Sequence, residues 1–439
     1  MKASRTILTV ILVVLLVVGW ASFILSTMKT SEEYEARLCA VNEYLEQHLY
    51  QKAVAECENA LSIRESVKGR RALLGIYELG CRDNSLSENG YIRQLQTATE
   101  LYPEEVSFWE KLLTFQVENS KRSDAYDTLK KLKRESITSE VLDELRIKVL
   151  YSYTVGGNVV QQVLYTPERC LTVCDDDEWG VLTLSGETFV GYDFEYISPV
   201  SQNAVAAYNS EDDVRLMDGS QIVEGYLKLE ITETRAYGDG YLPVKTNNGW
   251  QYYSVETEKY VLETYEEASA FLNGTAAVLK DGVWTLIGTD GVPICSTEFS
   301  DIKLYDNGDY TYGNIMVAAE NGQYGIYNAA GEKICDFACD NADLYMGSWI
   351  AYEENGQWGY VTTEGKIGLT PQYEKARSFS NGLAAVSVDG LWGFIDGTGT
   401  VVIDPVFVEV GYFLNSGKCF VCEIERNYKI LTLRYPEGI

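Results

Sequence analysis

Three textures of hydrophobic and polar positions follow one another along the 439-residue chain. Ile7 to Leu25 is an almost unbroken apolar run without a charge. As a helix it would extend roughly 28 Å, close to the hydrocarbon thickness of a bilayer. From residue 31 to 150 the apolar positions recur at i, i+3 and i+4, the period of amphipathic helices. Leu38, Val41, Tyr44 and Leu45 share one face, Ala53, Cys57, Ala60 and Leu61 the next. Trp109, Leu112, Leu113 and Gln116 follow, then Ala125, Leu129 and Leu132, and Pro103 is the only proline of the stretch. From residue 151 onward apolar residues alternate and glycine becomes frequent, which is the pattern of short strands and tight turns. The expected division is a cytoplasmic tail over 1–6, a transmembrane anchor over 7–27, a helical domain over 31–150 and a β domain over 151–439.

The flanks of the apolar run orient it. Lys2 and Arg5 precede it, whereas Lys29 is followed at once by Glu32, Glu33 and Glu35. The positive-inside bias therefore favours a cytoplasmic N-terminus and an extracytoplasmic bulk. A cleaved signal peptide is the rival, with small residues around Gly19-Trp20-Ala21. The run continues through Phe23, Ile24 and Leu25, longer than a signal core, which favours an uncleaved anchor.

The β region is periodic. Asn248-Gly249, Asp281-Gly282, Asn321-Gly322, Asn355-Gly356 and Asp389-Gly390 mark hairpins, because both central residues of such turns need positive φ. An aromatic follows each turn, and the marker runs Trp179, Val214 (a degenerate unit), Trp250, Trp284, Tyr324, Trp358, Trp392 and Tyr428. Successive gaps are 35, 36, 34, 40, 34, 34 and 36 residues. Three or four strands per unit, repeated eight times, predict a seven- or eight-bladed β-propeller whose weak first and last units share a blade; an open β array is the alternative. Ring closure would remove exposed sheet edges.

Two resemblances follow from these residues. Tyr44, Ala53 and Ala60 in one helical unit, Ala98 and Pro103 in the middle one, and Trp109, Leu112 and Ala125 in a later one resemble tetratricopeptide repeats. That likeness implies a short helical solenoid, serving either as a peptide groove or as a spacer lifting the C-terminal domain off the membrane, with the spacer favoured. The β units resemble the WG repeat family of bacterial proteins. The match is sharpest at Gln357-Trp358-Gly359-Tyr360 and Leu391-Trp392-Gly393-Phe394. Trp179-Gly180 and Tyr324-Gly325 keep the dipeptide or a variant of it, while Trp250 and Trp284 lack the glycine. The large ring is expected to fill the seam between neighbouring sheets, and the glycine to admit close backbone approach or a bulge. These residues are then structural anchors, and binding is expected in the variable turns between them.

Charge sharpens the partner class. The net charge is −29 overall, and residues 151–439 hold 16 Lys+Arg against 43 Asp+Glu. Such a surface repels nucleic acid. The chain has a single histidine, His48, in the helical part, so a His-based nucleophilic site in the β domain is excluded. Ten cysteines permit disulfides in an exported protein, and Cys419/Cys422 have zinc-ligand spacing, but apolar neighbours favour free buried thiols. The acidic turns Asp175-Asp176-Asp177-Glu178 and Glu211-Asp212-Asp213 match no full calcium loop. No cofactor, metal or catalytic site is expected. The expected function is a membrane-anchored extracytoplasmic binding or scaffolding module for a protein or cell-envelope partner. A carboxylate-based glycan-active enzyme and a ligand-binding sensor ectodomain are the alternatives.

Overall fold

The computed structural model describes residues 20, 28–165, 170–183, 187–200, 204–209, 213–218, 221–228, 233–414 and 416–434. Among these, no helix is long and apolar enough to cross a membrane. The apolar segment 7–27, expected to be an anchor, lies outside the described residues apart from Trp20. The described chain forms two units that divide between Val149 and Leu150.

The first unit is helical. Its elements are α1 (28–46), α2 (Tyr50–Ile63), α3 (Val67–Arg82), α4 (Glu88–Leu101), α5 (Val106–Glu118), α6 (Arg122–Glu135) and α7 (Glu140–Leu150). Ser66 and Ser87 cap α3 and α4 by accepting hydrogen bonds from Gly69 N and Gly90 N. Ala53, Ala60, Ala98 and Ala125 are fully buried, so the small residues expected to let helices close together sit inside. Glycine also admits close approach around α3 and α4: a Cβ on Gly69 would lie 2.6 Å from Leu61 Cδ2 of α2, and one on Gly90 would lie 2.8 Å from Tyr77 Cε1 of α3.

The second unit is an eight-bladed β-propeller. Blade 1 spans residues 162–194, blade 2 196–228, blade 3 233–265, blade 4 267–288, blade 5 301–328, blade 6 341–373, blade 7 375–407 and blade 8 409–433. Each begins with a two- or three-residue strand, continues through two longer antiparallel strands joined by a tight turn, and, except in blades 4, 5 and 8, ends in a fourth. Blade 8 takes its fourth strand from the start of the unit, Tyr153–Val160, which pairs antiparallel with Asn427–Leu433. The strand that precedes the first unit therefore completes the last blade, each of the eight units forms a blade of its own, and the count is eight. In blades 4 and 5 the fourth strand is reduced to isolated bridges, Trp284 with Phe299 and Tyr324 with Cys339 among them.

Turn chemistry follows the expectation at four of the five quoted pairs. Asp281-Gly282, Asn321-Gly322, Asn355-Gly356 and Asp389-Gly390 all have positive φ at both residues. At the fifth, Thr246 pairs with Gly249, so residues 247 and 248 form the turn and Gly249 opens the next strand. The glycine of the Trp-Gly pair has the expected job. Opposite Gly393 the outer strand bulges: Trp392 pairs with Phe407 but Phe394 with Ile403. A Cβ on Gly393 would lie 2.5 Å from Ile403 O and 2.7 Å from Pro405 N, and Gly359 is crowded in the same way. Blade 3 has Gln251 instead; there the bulged outer strand holds Leu262 at φ 63, a left-handed conformation unfavourable for that residue.

Gly393→Ala is expected to destabilise the propeller by roughly 1–3 kcal/mol, read as a lower urea midpoint. Gly397→Ala, whose added Cβ meets nothing within 4 Å, is the matched control and should leave the midpoint nearly unchanged.

Candidate functional site

One position recurs in every blade: the residue immediately after the innermost strand. It is Tyr165, Ser198, Arg235, Ser269, Lys303, Asp343, Arg377 and Gly411 in blades 1 to 8. Four of them, Tyr165, Asp343, Arg377 and Gly411, are brought together around the axis. The single proton of the Tyr412 hydroxyl is shared between the two oxygens of Asp343, at 2.8 and 2.9 Å. The Arg377 guanidinium lies 5.3 Å from the Tyr412 ring centroid, 5.9 Å from that of Tyr165 and 5.7 Å from that of Trp392. Gly411 must be glycine here, because a Cβ would fall 2.0 Å from Tyr165 Cε1. The same cation-over-ring arrangement appears in blade 3, with Arg235 4.4 Å from the Trp250 ring, and in blade 5, with Lys303 4.6 Å from the Tyr324 ring.

The axis is crossed by an insertion in blade 5. The segment joining its first two strands runs from 303 to 314, twice the length of 269–274 in blade 4 or 377–382 in blade 7. Tyr165 N donates to Asp306 at 2.6 Å, linking blade 1 to blade 5. Ala236 N donates to Asn307 O and Ala270 N to Gly308 O, tying in blades 3 and 4. Gly308 has φ +85, and a Cβ there would lie 2.4 Å from Arg235 Cδ. Asn307 Nδ2 donates to Asp309 at 2.7 Å, and Asp309 N to Asn307 Oδ1 at 3.0 Å, so the insertion braces itself. Desolvation pushes the Asp306 carboxyl above its ordinary range, opposed by the Tyr165 amide and the Arg377 charge. Burial, then the Asp343 charge, pushes the Tyr412 phenol well above its own.

The aromatic markers sit two strands further out, on the third strand of each blade. Trp250 and Trp284 are buried in clusters spanning blades 3–4 and 4–5. Trp179, Tyr324 and Trp358 are half-buried against clusters spanning blades 1–2, 5–6 and 6–7. Trp392 is half-buried near Arg377, as described above. Gly180, Gly359 and Gly393 each place a would-be Cβ within 3.0 Å of an outer-strand carbonyl, and Gly325 places one 3.3 Å from Phe337 O in the irregular outer segment of blade 5. The nine cysteines whose side chains are described carry no disulfide, and burial pushes the Cys57, Cys339 and Cys419 thiols up to about 12. Among the described residues, no three of His, Cys, Asp and Glu are grouped to hold a metal.

The helical unit has an opening of its own. A groove of about 590 Å³ lies between α3, α4 and α5. Lys111 forms an ion pair with Glu78 on its wall, and the Tyr91 hydroxyl donates to Glu78 at 2.7 Å. Phe115 stands edge-on to Tyr91, with centroids 5.3 Å apart. Desolvation raises the Glu78 carboxyl, but the bonds from Lys111 and Tyr91 outweigh it and hold the group below its ordinary range.

The repeat and its close-packed dipeptide agree with one family model. A model described as WG containing repeat matches residues 256–284, 358–392 and 392–423. The C-terminal unit carries WG repeats. No curated protein matches the chain. Among solved structures, Kluyveromyces lactis Hsv2 is 10% identical, with 56% of this chain and 93% of that chain covered and a TM-score of 0.37. The Neurospora crassa Pan2 WD40 domain is also 10% identical, covering 63% and 89% with a TM-score of 0.34. PorZ, a surface component of the type-IX secretion system of Porphyromonas gingivalis, is 9% identical, covering 64% and 38% with a TM-score of 0.33. Similarity at this level assigns neither activity nor partner to the WG-repeat propeller.

Tyr412→Phe deletes the hydrogen bond shared by the two oxygens of Asp343 and should lower propeller stability by about 1.5–3 kcal/mol. Equilibrium urea unfolding followed by tryptophan fluorescence reads this; an unchanged midpoint would mean the axial contacts contribute nothing.

Proposed function

We propose that this WG-repeat protein is a binding and scaffolding module, held outside the cytoplasm by its N-terminal apolar segment, that engages a protein or cell-envelope partner without catalysis. The groove between α3, α4 and α5 carries the reading. It combines an aromatic floor, Tyr91 and Phe115, with charged groups of both signs, which suits an extended peptide better than a small apolar ligand. The propeller supports the same reading from the other side. Its axis is crossed by its own side chains and by the blade 5 insertion, which leaves the turns and rim as the surface for partners. The acidity of residues 151–439 favours partners that are basic or neutral over nucleic acid.

A photoreactive amino acid at Thr114, in the groove wall, tests this in intact cells against the same group at Asn59 on α2, outside the groove lining. The expected result is a discrete adduct from Thr114 that weakens with Phe115→Ala and is digested by protease added outside the cell. An adduct no stronger than that from Asn59 would remove the binding reading, and protection from external protease would remove the extracytoplasmic one.

A further inference from the structure

The face of the propeller that carries the tight turns is polar in most described blades and apolar in two. The residue just before the turn is Asp175, Thr246, Lys280, Glu320 and Glu354 in blades 1, 3, 4, 5 and 6. In blades 7 and 8 it is Val388 and Ile424, 42% and 70% exposed. The chain crossing from one blade to the next changes in the same place. The crossing residue is Glu266, Ser300, Asp340 and Glu374 on entry to blades 4 to 7, but Val408 on entry to blade 8.

The crossing residue normally has a structural task. Gly322 N donates to Ser300 Oγ, Asn355 N to Asp340 and Gly390 N to Glu374, so in three successive blades this side chain caps the turn. The Val408 side chain cannot accept a hydrogen bond, and the residue is 45% exposed. Val406, two residues earlier in the bulged end of the preceding strand, is 51% exposed. A capping side chain has thus been replaced by exposed aliphatic surface.

The register joins these residues into one strip. Val388 pairs with Leu391, which is 39% exposed. Trp392 pairs with Phe407, which places Val408 beside Leu391. Val408 N donates to Cys422 O, which carries the strip across to Ile424. Asp389, Glu423 and Glu425 border it; Arg426 lies in the blade 8 turn, and Lys429 is paired with Glu423 at 2.8 Å.

We propose that this strip on blades 7 and 8 is a docking surface for a partner protein segment whose aliphatic side chains are flanked by lysine or arginine. The aliphatic residues supply burial on contact. The acidic border, and the charge imbalance of 16 Lys+Arg against 43 Asp+Glu over residues 151–439, select a basic partner and oppose a second copy of the same chain. The proposal rests on the binding reading above but concerns a different unit, so a silent groove at Thr114 would leave it standing.

The probe is a fluorescent amphipathic leucine–lysine helical peptide, with a leucine–glutamate counterpart, titrated against the full-length protein. The lysine peptide should bind and the glutamate peptide should not. Leu391→Glu with Ile424→Glu should weaken binding at least tenfold, while Glu354→Ala on blade 6 should change it less than twofold. Leu391→Thr with Ile424→Thr, which adds no charge, should weaken it in the same direction and guards against misfolding of the first variant. No binding, equal losses at blade 6, or no loss in either double variant would overturn the proposal. So would a dimer of the unmodified protein that the double variants convert to monomer, since the occupant would then be a second copy.

Discussion

Closure of the ring by the pairing of Tyr153–Val160 with Asn427–Leu433 is the constraint from which the propeller's other features follow. A row of eight small sheets left open would expose an apolar sheet face at each end. Joining the first strand to the last blade supplies that blade's outer strand and holds the two ends of the row together. It also sets where the chain goes next. From Val160 the chain turns inward through Gln162–Leu164, so that Tyr165 arrives at the axis beside Gly411 and within reach of Asp306. The axial cluster therefore exists only in the closed ring, since it joins blade 1 to blades 5 and 8.

Within the ring, the seams are built on one recurring part. A ring-bearing or apolar residue at the marker position packs where neighbouring sheets meet, and in blades 1, 5, 6 and 7 a glycine beside it lets the outer segment come close. The outer rim shows a related economy. The glycine of each later turn lies against a side chain from the preceding blade: Leu262 under Gly291, Cys295 under Gly331, Cys335 under Gly365 and Leu369 under Gly399. Cysteine stands where leucine does in the other blades, which explains two of the ten cysteines as small apolar packing residues. Those two lie in blades 4 and 5, where the fourth strand is irregular.

Much of this was legible in the sequence because the repeat is written in residue types with strong conformational demands. Asp-Gly and Asn-Gly turns, evenly spaced aromatics and Trp-Gly pairs specify hairpins and seams locally. The shift at Asn248-Gly249 was not legible, since two asparagines in succession offer two positions for one turn. The axial cluster was missed for a different reason. Arg377, Asp343 and Tyr165 occupy one repeat position, but their residue types differ, so no motif marks them. A signal was present nonetheless: the gap of 40 residues between Trp284 and Tyr324 is the insertion that crosses the axis. The exposed strip on blades 7 and 8 was likewise invisible, because an aliphatic residue in a strand reads as core until the register shows which face it occupies.

Ring closure can be tested at a single pair. Thr154 and Thr432 are directly opposed across the closing strands, at a separation that a disulfide can span. In the double variant Thr154→Cys with Thr432→Cys, oxidation should produce an intramolecular bond, located by peptide mass mapping, in a monomer with a raised unfolding temperature. Failure of these two cysteines to join, or their joining only between separate molecules, would contradict the closed eight-bladed ring.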